Sequence, residues 1–162
     1  MSDKVHNPEI RRFWQSYVDT LPKGSEKPPD DYQAWSFGNT LEMADELGEL
    51  VRLGKKTATA SLVWIFEEGL ELYPKVGEYH VILDRRDRPI CIIQTTELSV
   101  HAFDEVGEEH AYLEGEGDRS LHFWREVHWA FFSDECNKLG RDPDPKMPVL
   151  CEKFKLVYSP DP

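Results

Sequence analysis

The chain has 162 residues, 40% of them apolar and 12% aromatic, which is enough for one self-standing core and argues against wholesale disorder. Its 31 acids against 19 bases give a net charge of −12, so the surface as a whole does not suit sequence-independent binding of a polyanion. The three cysteines, Cys91, Cys136 and Cys151, are far apart and form no CxxC, which excludes a disulfide scaffold. With no apolar core of a signal peptide near Met1 and no apolar run approaching the ~20 residues of a membrane span, a cytoplasmic protein without membrane attachment is expected.

In chain order, Asn7 and Pro8 open a helix over residues 8–20, with Ile10, Phe13, Trp14, Tyr17 and Val18 on one apolar stripe. Residues 22–31, rich in Pro, Gly, Ser and Asp, read as a loop, so residues 1–31 form a helix and loop packed on a main domain over 32–158. Tyr32 to Phe37 reads as a short strand. Thr40 caps a second helix over about 41–53, whose inner face is Leu41, Ala44, Leu47, Leu50 and Val51, and Gly54 ends it. Glu78–Leu83 and Ile90–Thr96 flank the turn 84–89 as a β-hairpin, which Ser99–Phe103 continues past a bend. A short acidic helix over 104–113, a long helix over about 119–139 stopped by Gly140, and an outer strand over 149–158 complete the chain. Several strands with interspersed helices and no regular βαβ rhythm predict an α+β fold, a small, mostly antiparallel barrel or curled sheet.

The charge is unevenly placed. Residues 97–118 carry eight acids and no Lys or Arg, whereas Arg52, Lys55 and Lys56, then Arg85, Arg86 and Arg88, then Lys153 and Lys155, are compatible with a local basic face. Three segments could carry chemistry. In Gly54-Lys55-Lys56-Thr57-Ala58-Thr59 a helix ends at a tight turn with two ammonium groups and nearby hydroxyls. A desolvated lysine there could act as a base for a hydroxyl nucleophile, or a charged one could hold a phosphate or oxyanion, while the plain alternative is a helix exit with solvated lysines. In Gln94-Thr95-Thr96-Glu97 a carboxylate ends an apolar strand and could serve as an acid or base; a surface Glu is the alternative. In Glu114-Gly115-Glu116-Gly117-Asp118-Arg119-Ser120 a tight loop opens a helix, where backbone amides could meet an anion and where a simple cap also explains the residues.

Taken together, Gly54-x-Lys56-x-x-Thr59, the Thr95-Thr96-Glu97 strand and the Gly115-Glu116-Gly117-Asp118-Arg119-Ser120-Leu121…Trp124-Arg125…His128 block resemble the ASCH family, specifically its bacterial branch, over about residues 32–158. The resemblance implies a PUA-like β-barrel with a cleft beside the helix carrying GxKxxT, and RNA or a modified nucleoside as partner. Some small members deacetylate N4-acetylcytidine, and a bacterial member is described as a ribonuclease, so a hydrolase is implied. Carried onto matching positions, Lys56 becomes the base or oxyanion holder, Thr59 the nucleophile and Glu97 the proton shuttle. In a nuclease, Lys56 and Ser120 would face the scissile phosphate. Lys55, Arg119, Ser120 and Trp64 are then the expected substrate contacts. This chain is longer than the short deacetylases, and the Gly115–Ser120 block is not part of their pattern.

The histidines, His6, His80, His101, His110, His122 and His128, make no HxH or HExxH, so no protein-bound metal or other cofactor is expected, except that Glu97, Glu116 and Asp118 could recruit a divalent ion with a phosphate substrate. His128, on an apolar helix face, reads as a packed core residue. The other readings are a non-catalytic RNA-binding module, with Trp35 or Trp64 stacking on bases, and a regulatory ligand-sensing domain. The acidic stretch favours a small neutral nucleoside, or RNA cut with a bridging metal, and the chain is expected as a monomer or homodimer.

Overall fold

In a computed structural model, which describes residues 3–160, a five-stranded sheet forms the frame. Its strands are β1 (Gln33–Trp35), β2 (Ala58–Leu62), β3 (Tyr79–Leu83), β4 (Pro89–Ala102) and β5 (Pro148–Tyr158), in the order β1-β3-β4-β5-β2. Only β1·β3 is parallel; the other pairs are antiparallel. The expected hairpin is β3–β4, and the bend expected within its second arm is a register shift inside one long strand, between Thr95 and Glu97. Such shifts bend a strand and raise its twist, and here the sheet curls as a half-barrel. The α+β fold expected from the strand pattern is the fold found.

Helices α1 (Pro8–Asp19), α2 (Leu41–Arg52), α3 (Val63–Glu67), α4 (Glu108–Glu114) and α5 (Leu121–Leu139) cover the sheet. The caps are those the residues call for: Asn7 accepts from the Glu9 amide, Thr40 from Met43 and Ser120 from Phe123. α1 buries Ile10, Trp14 and Tyr17 against Tyr32, Val81, Leu83 and Ile92. The loop after it is held by Trp14 Nε1, which donates to Asp30. α2 lays Val51 on Ile82, Cys91, Ile93 and Phe154, but Leu41, expected on its inner face, is exposed because it stands at the first helical position. The segment expected as one acidic helix is a 3-10 turn over Phe103–Glu105 followed by α4, and α5 packs Trp124, Phe132 and Cys136 over Leu62, Val149 and Cys151. All three cysteines are buried and free. Among the described residues no helix is long and apolar enough to cross a membrane.

Candidate functional site

The turn at Gly54, with φ +75°, directs the amides of Lys55 and Lys56 back to the Leu50 carbonyl and sends the Lys56 side chain inward. Lys56 is 1% exposed. Its Nζ donates to Glu114 Oε1 at 3.0 Å and to Glu116 Oε2 at 2.7 Å, and lies 5.5 Å from the Phe37 ring centre. Glu114 Oε2 also accepts from Trp124 Nε1 and from His110 Nε2 at 2.8 Å. His128 stacks on Trp124, and its Nδ1 faces the Trp124 carbonyl at 2.9 Å, so that nitrogen must carry a proton; Nε2 lies 3.5 Å from Glu114 Oε1.

Burial alone would neutralise these groups, but they compensate one another. Burial works against the Lys56 ammonium, yet Glu114 and Glu116 raise its pKa above the ordinary value. Burial likewise opposes the Glu114 carboxylate, but Lys56 and His128 hold it well below the usual range. His128 is raised by Glu114 against its own desolvation, and Glu116 is raised by burial, with Glu114 adding to it. A lysine so held stays charged and is a poor base. Glu114, Glu116 and His128 bring ligand atoms within 4.8 Å of one another, the composition of a small metal site. Lys56 already lies against both carboxylates and supplies the positive charge, so the arrangement reads as an ion-pair network.

One cavity, of ≈ 420 Å³, opens between β1, β2, α3, β3, β5 and α5. Trp35, Phe37, Phe66 and Phe131 line it, together with the hydroxyls of Thr59 and Ser61. Its polar wall is a directed chain of hydrogen bonds. An indole N–H can only donate, so Trp35 Nε1, 2.9 Å from His80 Nδ1, makes that nitrogen an acceptor and leaves the imidazole proton on Nε2. Nε2–H donates to Thr95 Oγ1 at 3.1 Å, and the Thr95 hydroxyl donates to Glu152 Oε2 at 2.5 Å. Burial pushes His80 down to about 4, keeping it neutral, and pushes Glu152 up. Glu152 is the register partner of Thr59 across β2·β5, which sets their Cβ atoms about 4.5–5.5 Å apart on one face. Glu71, Glu78 and Glu135 also line the cavity, and Glu135 Oε1 is buried without a hydrogen-bond partner. Burial, with Glu71 adding to it, pushes Glu135 up to about 7.

The residues expected to converge are parted. Lys56 is sealed in its network, and Thr59 is half-buried on the cavity wall. Glu97 is exposed and pairs with Lys153 at 3.0 Å. Glu97 is the register partner of Lys153, next to Glu152 on β5, and successive side chains of a strand face opposite ways, so Glu97 and Thr59 are on opposite faces of the sheet. Glu97 lines a second cleft of ≈ 430 Å³ with His101, Glu109, His110 and Lys153. Three of the four other expected contacts have partners within the fold. Ser120 caps α5; Arg119 lies 3.7 Å over the Tyr112 ring and donates to the Tyr112 and Lys55 carbonyls; Lys55 is exposed; and Trp64 carries the Arg141 guanidinium 3.6 Å above its ring.

His80, Glu135 and Glu152 are wall residues that sequence reasoning passes over. Glu152 had a signal: it is the one acid on the strand face otherwise formed by Leu150, Phe154, Leu156 and Tyr158. His80 and Glu135 had none, because strand β3 and helix α5 bring them to the cavity from distant parts of the chain.

The ASCH domain family matches residues 33–158. The chain is 32% identical to the ASCH domain of Lactobacillus crispatus JV V101, whose crystal structure superposes with a TM-score of 0.87 over 98% of this chain and 96% of that one. It is 34% identical to the protein EF3133 of Enterococcus faecalis V583, with a TM-score of 0.80 over 93% of this chain and 89% of that one. No curated protein matches it.

Proposed function

The chain belongs to the ASCH domain family, and from that premise we propose that the cavity lined by Trp35 and Glu152 receives the base of a nucleoside or of a single-stranded RNA end. The observation that carries this reading is the chain from Trp35 through His80 and Thr95 to Glu152, which fixes a hydrogen-bond acceptor in a cavity lined by aromatic rings. A flat heterocycle with ring or exocyclic N–H groups suits both features: the rings contact its faces and Glu152 accepts from its edge. No Lys or Arg lines the cavity, so a phosphate gains nothing there, which favours a nucleoside or a terminal base over a scissile phosphodiester.

The Thr59–Glu152 pairing favours a hydrolytic use of this cavity on an N-acylated base. Glu152, raised by burial, is a stronger base than an ordinary carboxylate. Thr59 Oγ1 would add to the acyl carbonyl while its proton passes to Glu152. The C–N bond then breaks with that proton returned to the exocyclic nitrogen, and water cleaves the resulting threonyl ester. In this scheme Glu152 takes the part that the family resemblance gives to Glu97, and Lys56 holds the fold beside Phe37. The test is a side-by-side assay on N4-acetylcytidine and single-stranded RNA, each with and without divalent metal. Metal-independent release of acetate, lost in Thr59→Val and Glu152→Gln but retained in Glu97→Gln, is expected. Cleavage of RNA with the nucleoside untouched would overturn the reading.

A further inference from the structure

Three other acidic clusters of the fold hold a cation of their own. Lys56 stands between Glu114 and Glu116, Lys153 between Glu97 and Glu109, and Lys146 against Asp104. The cavity differs. Among the described residues Glu71, Glu78 and Glu135 have no ion-pair partner, and Glu152 has only His80, at 3.8 Å, a ring kept neutral by burial. The nearby basic side chains are turned elsewhere: the Lys138 ammonium pairs with Asp134 at 3.2 Å, and the Arg141 guanidinium lies over Trp64. Glu135 Oε1 is buried with no donor. A carboxylate oxygen buried without a cation or a donor is costly, and here the buried Glu152, the half-buried Glu135 and Glu78 and the more exposed Glu71 share a chamber with Trp35, Phe37, Phe66 and Phe131.

An aromatic chamber with unpaired carboxylates and no cation of its own is complementary to a flat ligand carrying a delocalised positive charge. We infer that the base recognised in this cavity is a cationic one, a ring-alkylated nucleobase of the N3-methylcytosine or N1-methyladenine type, seated between the aromatic side chains with its charge facing Glu135 and Glu152. This deepens, and rests on, the reading of the cavity as a base-binding site. A neutral base would satisfy Glu152 and leave Glu135 unmet. All four carboxyls are raised from their ordinary values by burial, so a bound cation would also draw protons off them.

Isothermal titration of the full chain with cytidine, N3-methylcytidine and N-methylpyridinium, the last a flat cation without a ribose, tests this. At least tenfold tighter binding of N3-methylcytidine than of cytidine is expected. Proton release at pH 7, read from two buffers of different ionisation enthalpy, should accompany the cation alone. Glu135→Gln should remove both the preference and the proton release while cytidine binding persists, and Glu71→Gln should weaken the preference in the same direction. Equal affinity for cytidine and N3-methylcytidine would overturn the inference and leave base binding standing. Binding of N-methylpyridinium with neither nucleoside bound would uphold the charge preference and overturn the base-binding reading. Binding of none of the three would overturn both.

Discussion

Lys56 Nζ stands 3.0 Å from Glu114 Oε1, and this contact makes the Gly54–Thr59 motif and the Glu114–Ser120 block one structural unit. The two segments are also sewn together along the backbone, where the Thr57 amide donates to the Leu113 carbonyl at 2.8 Å. Removing Lys56 leaves the buried Glu114 and the half-buried Glu116 without an ammonium, with only the imidazoles of His110 and His128 beside Glu114. Lys56→Met is therefore expected to cost about 3–5 kcal/mol in urea unfolding, and the Lys56→Met/Glu116→Gln pair to recover part of that loss. Any loss of activity in the single variant should then track loss of folded protein. A fully stable but inactive Lys56→Met protein would return the lysine to the chemistry.

Gly115 is the second stitch of the same seam. It ends α4 with φ +71°, and a Cβ there would come within 2.5 Å of the Lys55 carbonyl oxygen. Gly54 has a similar φ of +75° but open space around it. Gly54→Ala should cost only the left-handed strain, about 1–2 kcal/mol, whereas Gly115→Ala adds a backbone clash and should shift the unfolding midpoint further. Equal shifts would mean that the block does not depend on this close approach.

The two glycines also mark what the sequence made legible. The helix caps at Asn7, Thr40 and Ser120, the hairpin and the alternating last strand are local patterns, and each lies where its residues point. The family motifs were legible as well, yet which side chains meet was not. The family resemblance makes Lys56 an actor and its place after a helix end makes it a solvated lysine; only the fold brings Glu114 and Glu116 to it. Glu97 and Glu152 were separated by the parity of one strand, since the shift between Thr95 and Glu97 fixes which β4 residue faces Lys153, a detail of pairing that no single strand encodes.

Stability should fall as pH rises toward and through neutrality, and Glu135 and His128 are two of the groups that contribute with this sign. Glu135 is raised from its ordinary value to about 7, so the folded state holds its proton more tightly than the unfolded chain, and that contribution is lost as pH climbs through about 7. His128 is raised too; its contribution is complete below the ordinary imidazole value and is lost as pH climbs through the folded one. On the acid side, His80 is lowered to about 4 and Glu114 lies below its ordinary value, so both contributions are lost as pH falls. Thermal unfolding across this range should give a maximum on the acid side of neutrality. Glu135→Gln should flatten the alkaline limb alone, and a limb unchanged in that variant would remove Glu135 from the account.

The directed chain on the cavity wall makes the sharpest spectroscopic prediction. With Trp35 Nε1–H bonded to Nδ1, His80 should be a neutral Nε2–H tautomer, visible in long-range ¹H–¹⁵N spectra and unprotonated down to about pH 4. Trp35→Phe removes the donor that forces this choice, so both tautomers should appear and Thr95 should lose its fixed direction. Thr95→Val leaves His80 Nε2–H and Glu152 Oε2 without their shared partner, at a cost of about 1–3 kcal/mol, whereas Thr95→Ser should restore both stability and tautomer. An Nδ1–H tautomer in the unaltered protein would break the Trp35–His80 bond, since the indole can only donate, and reverse the bonds from His80 through Thr95 to Glu152. Glu152 would then have to be the proton donor to Thr95, and it could no longer serve as the acceptor on which base recognition and the activation of Thr59 depend.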